Sequence, residues 1–172
     1  MHVRELTEDD LANPRPVYVV WEVTLRCDHA CAHCGSRAGR ARSQELSTAE
    51  LLDVADQLAA LGTREVTLIG GEAYLRPDLP RLVRHLAEHG LRTSMQTGGL
   101  GLTEAVMAEL AQAGLAAIGV SIDGPREVHD QLRARRGSHA AASRAVEVAR
   151  AAGRPASPGR SAASPVQSAP MP

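Results

Sequence analysis

Three cysteines fall within the ten residues RCDHACAHCG, at Cys27, Cys31 and Cys34, and the chain of 172 residues has no others. Thiolates bind soft metals, pair as disulfides or act as nucleophiles, and the odd count argues against a closed disulfide set. Structural zinc would need His29 or His33 to complete a Cys3His site, and the second distant pair usual in zinc modules is absent. In an iron–sulfur cluster four irons usually take four thiolates, so three in one loop leave one iron open to an outside molecule. On the residues alone, all three readings stand.

The elements that must carry this loop repeat one pattern between Val17 and Gly153: an apolar run, a polar loop, an amphipathic stretch and a glycine. Predicted strands lie at 17–25, 65–70, 91–97 and 115–123, mostly short and β-branched, as in sheets buried on both faces. The first helix has the clearest start. Ser47 and Glu50 have capping-box spacing, Leu51, Val54, Ala55, Leu58 and Leu61 follow on one face, and Gly62 stands where a helix ends. Further helices are predicted over about 79–89, 103–113 and 138–152, before Gly90, Gly114 and Gly153. Alternation of this kind implies an α/β fold of four βα units with parallel strands and right-handed crossovers. The cysteine loop follows the first strand, and parallel α/β folds gather their sites at the C-terminal ends of strands.

Composition excludes several classes of function. The net charge of −1 and scattered basic residues leave no footprint for a nucleic-acid backbone. All 19 basic residues are arginine, so lysine chemistry is ruled out, and with no Phe, one Trp and two Tyr the core must be aliphatic. The polar start MHVRELTEDD resembles neither a signal peptide nor a membrane span, so the expected compartment is the cytoplasm, with no membrane partner. Residues 1–16 read as an N-terminal extension, 17–153 as the core domain, and 154–172, with half of the ten prolines, as a disordered Pro/Ala/Ser-rich tail.

CxxxCxxC after the first strand of a βα series resembles the signature of radical S-adenosylmethionine (SAM) enzymes. "TLRCDHACAHCGSRAG" is similar to the branch that often carries a C-terminal auxiliary-cluster domain called SPASM. The resemblance implies a partial (β/α) barrel and a 4Fe-4S cluster on Cys27, Cys31 and Cys34, with SAM chelating the fourth iron. Reductive cleavage of SAM would then give a 5′-deoxyadenosyl radical that abstracts hydrogen from a peptide or small-molecule substrate, with electrons from a reductant protein such as ferredoxin or flavodoxin.

The resemblance also assigns roles by position. Gly70, Gly71 and Glu72 match the motif that binds the SAM amino group. Ser121 and Asp123 match polar groups near the SAM ribose, although Asp123-Gly124-Pro125 would form a turn in any case. "TGG" at Thr97 to Gly99 matches the end of the family's third strand. Arg133 stands where an arginine meets the SAM carboxylate, and His33 where an aromatic residue commonly precedes the last cysteine.

The family core usually has six βα units. The sequence therefore reads as a chain that ends early, through a shifted frame or premature stop, with its fifth and sixth strands missing and its fourth left as an apolar edge prone to self-association. Two rival functions follow: a noncatalytic metal-binding module, holding zinc or a cluster indifferent to SAM, or a nonfunctional gene remnant.

Overall fold

The computed structural model describes residues 7–159. The expected alternation is present. The elements are helix α1 (Glu8–Ala12), strand β1 (Tyr18–Glu22), α2 (Thr48–Ala60), β2 (Glu65–Ile69), a 3-10 turn (Ala73–Leu75), α3 (Leu79–Glu88), β3 (Arg92–Thr97), α4 (Glu104–Gln112), β4 (Ala117–Ser121), α5 (Arg126–Leu132), α6 (Ser138–Ala151) and β5 (Ala156–Gly159). The five strands form one sheet in the order β1-β2-β3-β4-β5, every neighbouring pair parallel.

Local chemistry explains most boundaries. Ser47 and Glu50 form the expected capping box at the start of α2. Thr103 caps α4 through the N–H of Val106. Leu61 is exposed rather than part of the apolar face, because it follows the last turn of α2.

The strands have one apolar and one polar face. Val66, Leu68, Met95, Ile118 and Val120 point toward the helices, where Leu51, Leu82, Leu86, Met107 and Leu110 are buried with them. Apart from Val20 and Ile69, their alternate neighbours on the opposite face are polar or small: Tyr18 donates to Thr67, Thr67 shares a 2.8 Å hydrogen bond with Ser94, and the side chain of Gln96 lies across Gly119. The strands expected to be apolar and buried on both faces are apolar mainly on one, although Thr67 and Ser94 on the other are buried as well. The polar face is the one that opens onto the cavity described below.

Two further expectations are corrected. Residues 156–159 are not tail but a fifth parallel strand, with Ile118 paired to Ala156 and Ser121 to Gly159. The second edge of β4 is therefore covered, and the self-association predicted through an exposed fourth strand loses its structural basis. A segment with a proline can serve here because the last strand of a sheet needs ladder bonds on one side only. Within the predicted extension, α1 is anchored by buried Asp10, which accepts from Arg15 and Arg64. Residues 1–6 of that extension and 160–172 of the predicted tail lie outside the described residues. Among the described residues no helix is long and apolar enough to cross a membrane.

Candidate cluster and cofactor site

The root of the cysteine loop is fixed before its tip. Gly39 N–H donates to Leu25 O at 2.8 Å and Cys27 N–H to Gly39 O at 3.0 Å, closing the loop on itself. The Glu45 carboxylate gathers the Thr24 hydroxyl and the N–H groups of Leu25 and Arg42. Burial works against its charge, but these donors hold the carboxyl below the usual range. Beside the loop, the end of β2 continues as a ladder: Gly71 N–H reaches Thr24 O and Glu72 N–H reaches Arg26 O, both at 2.8 Å. That approach requires glycine. A Cβ on Gly70 would lie 2.4 Å from Thr24 O, and one on Gly71 2.3 Å from Arg26 O and 2.7 Å from Cys27 Cβ.

Each cysteine sulfur meets one N–H donor. His29 N–H points at Cys27 Sγ at 3.4 Å, Ala38 N–H at Cys34 Sγ at 3.3 Å, and Arg133 Nη1 lies 3.8 Å from Cys31 Sγ. Burial pushes the Cys27 thiol up to about 11, and burial likewise raises Cys31 against the pull of Arg133. Free thiols are thus favoured until a metal takes the protons' place.

All three cysteines line a cavity of about 370 Å³ at the C-terminal ends of β1 to β4, together with His33, Gly70, Gly71, Glu72, Ser121 and Arg133. Asp123 is not in its wall. Its Oδ2 accepts from Arg133 Nε at 2.6 Å, and its N–H donates to His129 Nδ1, so it backs the arginine. Arg133 is 7% exposed and its Nη2 has no partner among the described residues. His33 lies 3.7 Å from Asp123 through Nε2.

Glu72 is 2% exposed, accepting from the Thr97 hydroxyl and from Gly98 N–H. Burial pushes its carboxyl up to about 7 despite those donors, so a cation brought alongside would draw it back toward the anion. A Cβ on Gly98 would sit 2.8 Å from His29 Cε1 and 2.9 Å from Glu72 Oε1, so any larger residue there would have to displace these two side chains.

Three participants escaped sequence reasoning. Tyr74 donates to Asp28 Oδ2 at 2.7 Å and accepts from Gly101 N–H, bracing the loop against the end of β3. Asp28 also meets His29 Nδ1 at 3.0 Å. His129, fully buried, accepts the Asp123 N–H. A tyrosine two residues beyond Glu72, in a chain with only two, was the one available hint.

The donor set fits an iron–sulfur group. Three sulfurs border one cavity, N–H groups aim at each as hydrogen bonds to cluster ligands do, and the buried guanidinium of Arg133 lines the same space, a positive charge suited to an anion.

A parallel α/β sheet with a three-cysteine loop after its first strand and glycine-rich strand ends around one cavity defines a class of cofactor-dependent enzymes. The chain belongs to the radical SAM superfamily, which matches residues 21–162. It is 36% identical over 146 residues to Fe-coproporphyrin III synthase of Methanosarcina barkeri (strain Fusaro / DSM 804), covering 84% of this chain and 35% of that protein. It is 37% identical over 139 residues to mycofactocin maturase MftC of Mycobacterium ulcerans (strain Agy99), covering 80% and 37%. The crystal structure of Streptococcus suis SuiB bound to S-adenosylmethionine superimposes with a TM-score of 0.72 at 17% identity, over 83% of this chain and 33% of that one, a likeness of fold. The chain thus spans little more than a third of the curated relatives' own lengths. The family implies an iron–sulfur cluster and SAM.

Proposed function

We propose that this chain is the part of a radical SAM enzyme that holds a 4Fe-4S cluster and SAM. The observation carrying the reading is that all three cysteine sulfurs have an N–H donor and border one cavity, whose wall also holds the buried Arg133. Cys27, Cys31 and Cys34 would hold three irons and leave the fourth for SAM. Together the two groups supply reductive cleavage of SAM to methionine and a 5′-deoxyadenosyl radical that abstracts hydrogen from the substrate.

The chain's own residues orient and desolvate. Glu72 and the backbone of Gly70 and Gly71 receive the ammonium of the methionine moiety, and Arg133, held by Asp123, receives its carboxylate. Ser121, at the mouth of β4, is placed for the ribose, and His33 for the adenine side. Asp123 acts through Arg133 rather than on the ribose directly. The compartment is cytoplasmic, and a ferredoxin or flavodoxin supplies the electron. A peptide substrate is favoured, in line with the crystal structure of SuiB bound to precursor peptide SuiA.

A second reading has an observation of its own. Ligand atoms of Cys27, Asp28, His29 and Glu72 lie within 4.8 Å of one another, a set able to hold one zinc ion. Electron paramagnetic resonance of the anaerobically reconstituted, reduced protein separates the two, with iron and sulfide analysis alongside. A reduced-cluster signal that changes on adding SAM supports the first reading, and Arg133→Leu should weaken the SAM response by about ten- to a hundredfold, the cost of losing a charged hydrogen bond. Zinc uptake without iron, or a cluster indifferent to SAM, refutes it.

A further inference from the structure

A second group of metal-ligating side chains stands on the helical shell, apart from the cysteine cavity. His85 lies in the last turn of α3 and His89 at its C-cap, four residues apart, and the bond from His89 N–H to His85 O keeps the backbone helical between them. That spacing puts both imidazoles on one side of the helix. Their Nε2 atoms reach the same Oδ1 of Asp56 on α2, at 2.6 and 2.8 Å, and their rings meet edge to face at 4.8 Å. The three ligand atoms lie within 4.8 Å of one another, and the side chains are 25%, 39% and 53% exposed, within reach of a solvated ion.

We infer that Asp56, His85 and His89 form a site for a first-row divalent cation of the zinc type, which staples α2 to α3. Two imidazoles and a carboxylate are a ligand set that zinc accepts, and two histidines at i and i+4 of a helix are a recurrent way of presenting it. Metal–ligand bonds of about 2.0–2.2 Å in tetrahedral geometry would set these donors roughly 3.3 Å apart. Small side-chain rotations from the observed hydrogen-bonded positions open that space, with the metal replacing the Nε2 protons. Three protein ligands leave a fourth position for water.

The site is independent of the cysteines. Helix α3 begins beyond the Glu72 end of β2 and runs back along the sheet, so its last turn lies a helix length, about 15 Å, from its start and toward the opposite end of the strands. It also stands whatever the cavity binds, because it uses none of the residues that line it.

Calorimetric zinc titration of the reduced full-length chain is the test. The parent should bind one equivalent more than His85→Asn or His89→Asn, or bind that equivalent at least about tenfold more tightly, since losing a ligand should cost no less than losing a ligand's hydrogen-bond partner. Asp56→Asn, which preserves the side-chain volume, should weaken the same equivalent. Zinc should also raise the melting temperature of the parent more than that of the variants. Equal stoichiometry and affinity in parent and all three variants would overturn the inference and leave the triad as a hydrogen-bonded contact alone.

Discussion

Gly71→Ala is the sharpest test of how the cavity is built. Its φ is not in the left-handed region, so alanine there meets no backbone conformational penalty and the cost is steric. The added methyl would stand 2.3 Å from Arg26 O and 2.7 Å from Cys27 Cβ, whereas ordinary contact begins at 3.4 Å, so the end of β2 must retreat from the cysteine loop by about 1 Å. Retreat opens the bonds from Gly71 N–H to Thr24 O and from Glu72 N–H to Arg26 O, each worth about 1 kcal/mol net. Residual overpacking adds about 1–3 kcal/mol, for a total of about 3–5 kcal/mol out of a typical stability of about 5–15. Gly35→Ala, in the same loop with nothing within 4 Å of the added methyl, should shift stability by no more than about 0.5 kcal/mol. Urea midpoints of the metal-free variants, with iron per chain after reconstitution, give the comparison. Equal midpoints and equal iron in the two variants would refute the close-approach account.

The remaining predictions concern the scaffold. Leu82→Ala, at a site 1% exposed, should lose about 2–5 kcal/mol in urea unfolding, while Leu61→Ala, at 57% exposure, should leave the midpoint nearly unchanged. Ser47→Ala should cost about 1 kcal/mol by removing the capping box of α2, visible in the same unfolding curve. Asp130 accepts from the N–H groups of His139 and Gly137 and from the Ser138 hydroxyl, and the His139 N–H leads in holding its carboxyl down to about 2 from the usual 3.8. A depressed carboxylate stabilises the fold above its unfolded value, so the advantage of the parent over Asp130→Asn should persist at pH 6 and shrink as pH falls from about 4 toward 2 in acid unfolding.

What the sequence disclosed follows from how local each signal is. The Ser47-Glu50 cap, the helices before Gly90, Gly114 and Gly153, and four of the strands rest on short-range periodicity, and all are present in the fold. The three cysteines and Gly70-Gly71-Glu72 were legible because their spacing is itself the signal. Strand β5 was hidden, since its Ser, Pro and Gly carry no strand propensity and its place is set by the open edge of β4. The partnership of Asp123 with Arg133 was hidden because the two stand ten positions apart, with α5 between them, and only tertiary packing joins them. The meeting of Asp56 with His85 and His89 spans two helices and left no trace in local pattern.

The strand order has a consequence for synthesis. Strands appear in the sheet in the order in which they leave the ribosome, so each newly made strand from β2 to β5 finds its preceding neighbour already in place and need not displace or thread past anything. The closures are unequal: Tyr18 must find Glu65 across the cysteine loop, a span roughly twice that from Ser94 to Ala117, at an added cost of about 0.6 kcal/mol. The cysteines are therefore translated and bracketed by β1 and β2 well before α5 brings Leu132 O to Ala32 N–H and Arg133 to Cys31. The ligands of the loop come first, and the wall that finishes their surroundings is made about a hundred residues later.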